Sequence, residues 1–542
     1  MTRESSLYDQ SSAGVAVAPH ARAAQAGAAV LAEGGNAIEA CVAMAASLAA
    51  VYPHMTGLGG DSFWLLHGPD GEVQSILGCG RSGEVVDIHS YLAAGERSIP
   101  YRGGRAAITV AGTVSGWEQA LQISEAQWGG RLPLGDLLAD AIAHCRQGYR
   151  VTASQAEATA SKLSALRRQP GFAEVFLSEG RPPIAGSTLT QPALADTLEQ
   201  LVRAGLGDFY RGELADAIAA DLAQAGSPLT RKDLAEHRAE LVEPLRLRTS
   251  QAELFTTPAP TQGAATLMIL GQFARRPAEV AATEGVDTVH WLVEATKQAF
   301  AVRNREIRDP ACMTMPTQSL LTSDRLDVLA AGIDANRAAP WGTATSPADT
   351  TWFGAIDAQG HSVSCIQSIY HEFGSGVVLP QTGLCWQNRG ASFSLEAGHP
   401  WELEPRRMPF HTLCPSMAHF EDGRRMVFGT MGGDGQPQTQ AAVYTRYADY
   451  GMPLDEAVAA PRWVLGRTWG DHSDSLKLES RFDPALIDEL RRRGHPVDLL
   501  GDYDETVGHA GAIVRHPDGR VEGASDPRSD GAAVGAIEGG AA

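Results

Sequence analysis

The pattern of apolar and polar positions predicts helices over much of the first 300 residues. An Ala-rich run, residues 20–33, is followed by a pair of glycines, and Asn36 can cap a second apolar helix that extends to Val51. Residues 113–245 are mostly helical in pattern, and residues 287–304 carry apolar side chains along one side, as a surface helix does. The first part of the chain is therefore expected to be largely helical.

Strand patterns occur in two hairpins. A glycine-rich loop precedes residues 62–67, and a polar Gly-Pro-Asp-Gly turn separates that run from residues 72–77. Residues 351–356 and 361–369 are also β-prone, and residues 357–360 between them form a turn that ends in glycine. Helices combined with antiparallel strand pairs predict an α+β fold.

The composition changes immediately before the second hairpin. Residues 334–349 are small and polar and include two prolines, which makes them the best linker candidate in the chain. Folding the hairpin brings position 350 opposite positions 367 and 368, so Thr350 and Ser368 are expected to be neighbours. The linker therefore leads directly to Thr350, whose hydroxyl is expected to lie beside that of Ser368.

A threonine at the start of a strand, directly after a linker, is the arrangement that an N-terminal nucleophile hydrolase uses. The hydroxyl can attack the carbonyl of Asp349, and an N-to-O acyl shift followed by hydrolysis frees Thr350 with its own α-amine. That amine has an unperturbed pKa of about 7.7–8.0, so it can act as the general base at neutral pH, with Ser368 orienting or relaying the proton. Threonine also favours strands for purely structural reasons, so a second feature is needed.

The second feature is a glycine-rich loop between a predicted strand, residues 426–430, and a small-residue helix, residues 439–447. Gly432 and Gly433 in this loop can present backbone N–H groups to a developing oxyanion. A phosphate-binding loop is the alternative, but neither the P-loop spacing nor a complete dinucleotide fingerprint is present. The loop therefore favours an oxyanion site.

Composition narrows the range of partners. The chain has 64 acidic and 44 basic residues and a net charge of −20, which argues against a nucleic-acid groove or an anionic membrane surface. The seven cysteines include no C-x-x-C pair and are expected to be buried reduced thiols. The polar N-terminus lacks the apolar core of a signal peptide, so a cytoplasmic location is expected. No ligand spacing indicates a metal, and no cofactor is predicted.

Six segments, in order, resemble the γ-glutamyltransferase family of N-terminal nucleophile hydrolases over about residues 14–530. These segments are Gly34-Gly-Asn-Ala-Ile-Glu-Ala40, Pro53-His-Met-Thr-Gly-Leu-Gly-Gly60, Gly112-Thr-Val-Ser-Gly-Trp117, Asp349-Thr-Thr-Trp352, Met431-Gly-Gly433 and Ala524-Ser-Asp-Pro-Arg528. The resemblance implies that Thr350 is the nucleophile and that Ser368 stands where the family has a second threonine near the nucleophile's amine. It also implies that Gly432 and Gly433 form the oxyanion hole.

The resemblance further implies an architecture and a processing step. A precursor is cut between Asp349 and Thr350 into a large subunit, residues 1–349, and a small subunit, residues 350–542. The two interweave in one catalytic domain, a four-layer αββα sandwich, whereas length alone favours two to four separate units. The expected partners are these two subunits and a small-molecule amide substrate, and a dimer of the heterodimer is left open.

The positions that read the substrate depart from the pattern of glutathione-cleaving members. An asparagine, a glutamine, an acidic residue and a pair of serines are replaced, in that order, by Tyr370, Arg389, Ser392, His411 and Thr412. The arginine that binds the substrate carboxylate is displaced, with Arg81 one or two positions away. These six residues form the candidate substrate-binding set.

Loss of the acidic residue removes the best partner for an α-ammonium group, whereas Arg389 favours a substrate with a carboxylate. The pattern is closer to the oxamate amidohydrolase and acylase branch of the family. The predicted reaction is hydrolysis of a small carboxylate-bearing amide, oxamate-like, through a Thr350 acyl-enzyme. The alternatives are a γ-glutamyl hydrolase or transferase acting on glutathione, a glutaryl-type (cephalosporin) acylase, and a silent binding protein on the same fold. For Arg389 itself, a surface or salt-bridge role is the alternative.

Overall fold

The computed structural model describes residues 6–281, 284–342, 349–466 and 473–537. The strands are β1 Tyr8–Ser11, β2 Gly14–Ala18, β3 Asp61–His67, β4 Val73–Gly78, β5 Tyr149–Arg150, β6 Thr188–Leu189, β7 Glu240–Val242, β8 Leu245–Arg248, β9 Ala252–Thr256, β10 Asp349–Asp357, β11 Ser362–Tyr370, β12 Ser416–Phe420, β13 Arg425–Thr430, β14 Trp463–Leu465, β15 Leu476–Glu479, β16 Val497–Leu500, β17 Ala510–Arg515, β18 Val521–Ser525 and β19 Ala532–Gly535.

The helices are α1 Ala21–Ala32, α2 Ala37–Val51, α3 Ile88–Ala93, α4 Thr113–Gln127, α5 Leu134–Gln147, α6 Ala153–Leu166, α7 Phe172–Phe176, α8 Pro192–Ala204, α9 Asp208–Arg211, α10 Glu213–Gln224, α11 Arg231–Glu236, α12 Gly263–Phe273, α13 Val286–Glu306, α14 Ser323–Ala331, α15 Gln436–Ala448, α16 Leu454–Ala459 and α17 Pro484–Arg492. Short 3-10 helices near the site span Arg389–Ser392 and Gly433–Gly435. Among the described residues, no helix is both long and apolar enough to cross a membrane.

Two antiparallel sheets of seven strands each are formed within the described ranges. The first has the order β19-β2-β10-β11-β3-β4-β7, and the second has the order β1-β18-β17-β13-β12-β9-β8. Both sheets contain strands from before and after position 349; for example, β2 lies between β19 and β10. The segments before and after position 349 therefore share both sheets and form one interwoven fold, in contrast to the separate units expected from length alone.

Alternate residues of each strand separate the layers. Phe63 packs between the two sheets, whereas the next residue, Trp64, joins the apolar cluster that includes α1 and α2. In the second sheet, Val427 faces the interior of the sandwich and Phe428 packs in the cluster of α12, α13 and α15. The resulting order of layers is helix, sheet, sheet, helix, which confirms the predicted αββα sandwich.

The local signals at the first two helices are confirmed in detail. The Asn36 side chain accepts hydrogen bonds from the backbone N–H groups of Ile38 (3.0 Å) and Glu39 (3.1 Å). The Glu39 carboxylate in turn accepts a hydrogen bond from the Asn36 N–H at 2.8 Å, which completes a capping box. All seven cysteines are free, and only Cys312 among them is not fully buried, as predicted.

Helix α13 differs from its prediction as a one-sided surface helix. Glu294, Lys297 and Arg303, which the pattern leaves on the polar side, are buried. Helices α12, α15 and α17 all pack against α13, so it has little free surface. The buried charges are paired: Lys297 Nζ lies 2.6 Å from Glu294 Oε1, and Arg303 Nη1 lies 2.6 Å from Asp434 Oδ1.

Candidate active site

The predicted hairpin places Thr350 inside the sandwich. In the β10–β11 pair, Asp349 pairs with Tyr370 and Thr351 pairs with Gln367, and the register shifts between them, at Thr350. Thr350 is 1% exposed, and its hydroxyl Oγ1 lies 3.4 Å from the Ser368 Oγ. The structure thus brings together the two hydroxyls that the hairpin register predicts.

Ser368 is held near the end of β11. Its Oγ accepts a hydrogen bond from the backbone N–H of Tyr370 at 2.8 Å. Tyr370 has a φ of +81°, which is unusual for an aromatic residue and turns the chain away from the sheet at this point. On its other side Ser368 pairs with Asp61, the first residue of β3.

The packing between the sheets determines which part of the second sheet faces Thr350. The turn after β10 lies against Arg515, because a Cβ added at Gly360 would lie 2.8 Å from Arg515 Nε. Arg515 pairs with Arg425, the first residue of β13, so the opposite ends of β10 and β13 also meet. Thr350 therefore lies at the end of the sandwich where β13 runs into the glycine loop.

The glycine loop has the backbone conformation that its sequence requires. Gly432 and Gly433 have φ values of +112° and +53°, which glycine adopts without a Cβ penalty. Gln262 Nε2 donates to the Gly433 carbonyl at 2.8 Å, and Arg303 is paired with Asp434, so both sides of the loop are held. A loop fixed in this way can present backbone N–H groups to an anion.

A close inter-sheet contact fixes Trp352, two residues after Thr350. A Cβ added at Gly429 would lie 2.1 Å from Trp352 Cδ1, and the indole Nε1 donates to Ser364 Oγ at 3.0 Å. We expect Gly429→Ala to push the indole aside and lower the free energy of unfolding by about 1–3 kcal/mol. Thermal unfolding tests this expectation, with Gly501→Ala as the matched control because no atom lies within 4 Å of its added Cβ. Equal melting temperatures for both variants would contradict the close contact.

Three of the predicted substrate-binding residues, Tyr370, Ser392 and Thr412, line one cavity of about 350 Å³. Arg303 and Asp434, next to the glycine loop, also line it. The Thr412 Oγ1 is buried and has no hydrogen-bond partner among the described residues. The Ser392 hydroxyl donates to the Arg389 carbonyl at 2.8 Å and so stabilises the 3-10 turn instead of standing free.

Arg389 is a buried residue, which excludes the surface alternative. It is 1% exposed, and its guanidinium carbon lies 3.7 Å from the centroid of the Tyr370 ring. Its Nε and Nη1 have no hydrogen-bond partner in the part of the chain that the structure describes. Burial lowers the pKa of Arg389 to about 10, against the nearby negative groups, so the side chain stays cationic at neutral pH. Two donors of this buried cation are therefore unsatisfied, and Arg389 is not among the residues that line the 350 Å³ cavity.

His411 lies beside this cation, but Arg81 does not share the cavity. Burial, reinforced by the Arg389 charge, lowers the pKa of His411 well below its usual value, so the ring is neutral. Arg81 lines a different cavity of about 300 Å³. Its guanidinium is paired with Asp309 at 3.0 Å and with Glu240 at 3.3 Å. The structure therefore does not place Arg81 with the other predicted substrate-binding residues.

Sequence reasoning missed Asp61 as a member of the site. Asp61 is 1% exposed, its Oδ2 lies 3.6 Å from His411 Nε2, and Oδ1 accepts from Gln387 Nε2 at 3.1 Å. The signal in the sequence is a carboxyl residue directly before the largely apolar strand 62–67, where a charge would otherwise be costly. A carboxyl group at such a position is buried only when it has hydrogen-bond partners or belongs to a functional site.

An αββα sandwich with a threonine at the start of an interior hairpin strand defines the class of N-terminal nucleophile hydrolases. The gamma-glutamyltranspeptidase family model matches residues 23–536, and the chain belongs to this family. The predicted family and the prediction of an amide-bond hydrolase are thereby confirmed.

Individual relatives resemble the chain over almost its whole length. The oxamate amidohydrolase proenzyme of Klebsiella pneumoniae subsp. pneumoniae is 55% identical over 522 residues, which cover 96% of this chain and 98% of that protein. The glutathione hydrolase-like YwrD proenzyme of Bacillus subtilis is 41% identical over 96% of this chain and 98% of its own length. The solved structure of the cephalosporin acylase from Bacillus halodurans has a TM-score of 0.88 at 30% identity and covers 100% of this chain and 98% of that one.

Proposed function

We propose that this chain is a self-processing amidohydrolase that hydrolyses a small carboxylate-bearing amide, with oxamate as the first substrate to test. The observation that carries the substrate class is Arg389, a buried cation with two unpaired donors. The 55% identity to an oxamate amidohydrolase proenzyme supports the same substrate class.

The nucleophile of the proposed reaction is Thr350. In the precursor its Oγ adds to the Asp349 carbonyl, and the acyl group moves from nitrogen to oxygen, which frees the Thr350 α-amine. Water then cleaves the ester and frees the Thr350 hydroxyl and the Asp349 carboxylate. In the mature enzyme that amine takes the hydroxyl proton while Oγ attacks the substrate amide, and ammonia leaves with the proton. Water then hydrolyses the acyl-enzyme. Ser368, 3.4 Å from the Thr350 hydroxyl, orients it, and the N–H groups of Gly432 and Gly433 stabilise the oxyanion.

A series of residue contacts connects the candidate anion site to the nucleophile. In oxamate the carboxylate is bonded directly to the attacked carbonyl carbon, so its binding site must lie close to the nucleophile. A short series of contacts joins the two here. Thr350 lies beside Ser368, Ser368 accepts from the Tyr370 N–H, and the Tyr370 ring carries the Arg389 guanidinium. A glutaryl-type substrate would place its carboxylate several bonds further away.

A γ-glutamyl substrate would also need a partner for its α-ammonium group. The position that supplies an acidic residue in glutathione-cleaving members is Ser392, whose hydroxyl is used within its own turn. Asp434, which lines the same cavity, is already paired with Arg303. Neither Ser392 nor Asp434 therefore offers a free carboxylate to an ammonium group.

The experiment combines mass spectrometry with an ammonia-release assay. The purified protein is expected to give two fragments, residues 1–349 and 350–542, and a chain that stays whole on prolonged incubation would contradict self-processing. Ammonia release is expected to be fastest with oxamate and to decrease along a series of amides with longer spacers, up to the glutaryl amide. Faster turnover of a γ-glutamyl anilide would contradict the proposed substrate class.

The assembly proposed with this function is the heterodimer of the two fragments, in the cytoplasm, with no nucleic-acid or membrane partner. The net charge of −20 supports the last two points, because nucleic acids and anionic membrane surfaces repel an acidic protein. Light scattering of the processed protein distinguishes one heterodimer from a dimer of heterodimers.

A further inference from the structure

A group of buried polar side chains lies behind Ser368, and several of its atoms have no partner. Asp61 Oδ2, both ring nitrogens of His411, and Nε and Nη1 of Arg389 make no hydrogen bond within the described ranges. All three residues are at most 1% exposed. Unpaired polar atoms are rare in protein interiors, and several together indicate a place for a polar ligand.

Asp61 is fixed in this group by one of its two oxygens. Oδ1 accepts hydrogen bonds from the Gly112 N–H at 2.9 Å, from Gln387 Nε2 at 3.1 Å and from the Gly80 N–H at 3.4 Å. Oδ2 is left without a donor and lies 3.6 Å from His411 Nε2, and the Phe63 ring packs edge-to-face on that imidazole, with ring centroids 4.8 Å apart. The carboxyl is therefore held in place with one oxygen directed at the group.

Asp61 is also close to the reacting hydroxyls. In the β3–β11 pair it stands directly opposite Ser368, whose Oγ lies 3.4 Å from the Thr350 hydroxyl. The charge of Arg389 acts on Asp61, since it lowers the pKa of that carboxyl. An anion bound to Arg389 beside Thr350 would therefore be within the electrostatic reach of Asp61.

Asp61 is the group in this cluster whose charge changes near neutral pH. Burial raises its pKa to about 7, against the lowering effects of Arg389 and the three N–H donors. The titratable groups near Asp61 keep one charge state in that pH range. Burial keeps His411 neutral, and burial raises the pKa values of the Cys79 thiol and the Tyr210 phenol, which ordinarily lie above neutral, still further. Arg389 stays cationic, with a pKa of about 10.

We propose that Asp61 is a specificity-determining residue of the anion site. In its neutral form it donates a hydrogen bond to a bound carboxylate, and in its ionised form it competes with that carboxylate for the Arg389 guanidinium. The inference rests on the proposed function in one respect, because it takes the ligand of the anion site to be a carboxylate. It assigns to Asp61 a role separate from that of the nucleophile.

The consequence is that anion affinity falls as the pH rises through the Asp61 pKa. If a bound carboxylate raises the pKa of Asp61 by one unit, linkage weakens binding about tenfold between the neutral and ionised forms. The Thr350 amine, which loses its own positive charge at a similar pH, weakens binding in the same direction. A comparison with an Asp61 variant cancels that contribution, because both proteins carry the amine.

The experiment measures oxalate binding to the processed protein by calorimetry at pH 6.0 and pH 8.5. Oxalate remains a dianion over this interval, and its binding does not require turnover. The dissociation constant at pH 8.5 divided by that at pH 6.0 is expected to be about tenfold larger for the wild type than for Asp61→Asn. Asp449→Asn is the matched control, because burial also raises the pKa of that carboxyl but its partner is Arg276, away from the site. This control should keep the wild-type ratio.

An infrared measurement on the wild type covers the case in which Asp61→Asn does not fold. Oxalate binding at pH 7.5 should increase the band of protonated carboxyl groups, to which the Thr350 amine does not contribute. The inference is overturned by equal ratios in the wild type and Asp61→Asn, by tighter oxalate binding at pH 8.5, by no oxalate binding at pH 6.0, or by no infrared change. Oxalate binding as expected without hydrolysis of any amide would contradict the proposed function instead.

Discussion

Thr350→Ala is expected to remain one uncleaved chain and to release no ammonia from any amide. The variant lacks the hydroxyl that attacks Asp349, so the α-amine that acts as the general base is never freed. Removing a catalytic nucleophile lowers turnover by a factor of about 10³ or more. Thr350 is 1% exposed in the sandwich, but alanine removes only its hydroxyl and one methyl group, so the fold should persist. Gel electrophoresis after incubation and an ammonia assay measure both effects.

The neighbouring threonine supplies the control. Thr351 is also buried, and its hydroxyl donates to the Gln367 carbonyl at 2.8 Å. Thr351→Ala should lose about 1 kcal/mol of stability with that bond and still be processed. Thr350→Ser, which keeps a hydroxyl, should also be cleaved. Normal processing of Thr350→Ala, or loss of processing in Thr351→Ala, would show that Thr350 is not the nucleophile.

Features that depend on neighbouring residues could be predicted from the sequence. The Asn36–Glu39 capping box and the β10–β11 hairpin are local, because each is set by residues within one helical turn or one tight turn. The hairpin alone was enough to place Thr350 beside Ser368. The glycine loop could be predicted for the same reason, since a strand, two glycines and a helix follow one another in the chain.

Features that depend on contacts distant in sequence could not be predicted. Nothing near Arg389 in the chain indicates that it is buried against Tyr370, and nothing near Arg81 indicates that Asp309 and Glu240 engage it in another cavity. Asp61 is recognised as a site residue only because β3 pairs with β11 and because His411 lies close to its carboxyl group. Charged residues in the interior take their roles from partners that only the folded chain brings together.

Arg389→Met is expected to lose activity towards carboxylate-bearing amides without losing stability. Each charge-assisted hydrogen bond to a ligand contributes about 1.5–3 kcal/mol, so loss of two should lower kcat/KM at least about 100-fold. The folded protein, in contrast, gives up a buried cation with two unpaired donors and gains a flexible apolar side chain of similar length. The melting temperature should therefore stay the same or rise. Ammonia release and thermal unfolding, both at pH 6.0, measure the two effects.

Arg303→Met is the contrasting variant, because Arg303 is equally buried but fully engaged. Its guanidinium bonds to Gln262 Oε1 and to Asp434 Oδ1, both at 2.6 Å. Its removal leaves the Asp434 carboxylate buried and unpaired, which should cost about 3–5 kcal/mol of stability. The two variants thus distinguish Arg303, a buried cation that stabilises the fold, from Arg389, a buried cation that binds a ligand. A drop in melting temperature for Arg389→Met as large as that for Arg303→Met would mean that Arg389 is structural, and the carboxylate site would have to lie elsewhere.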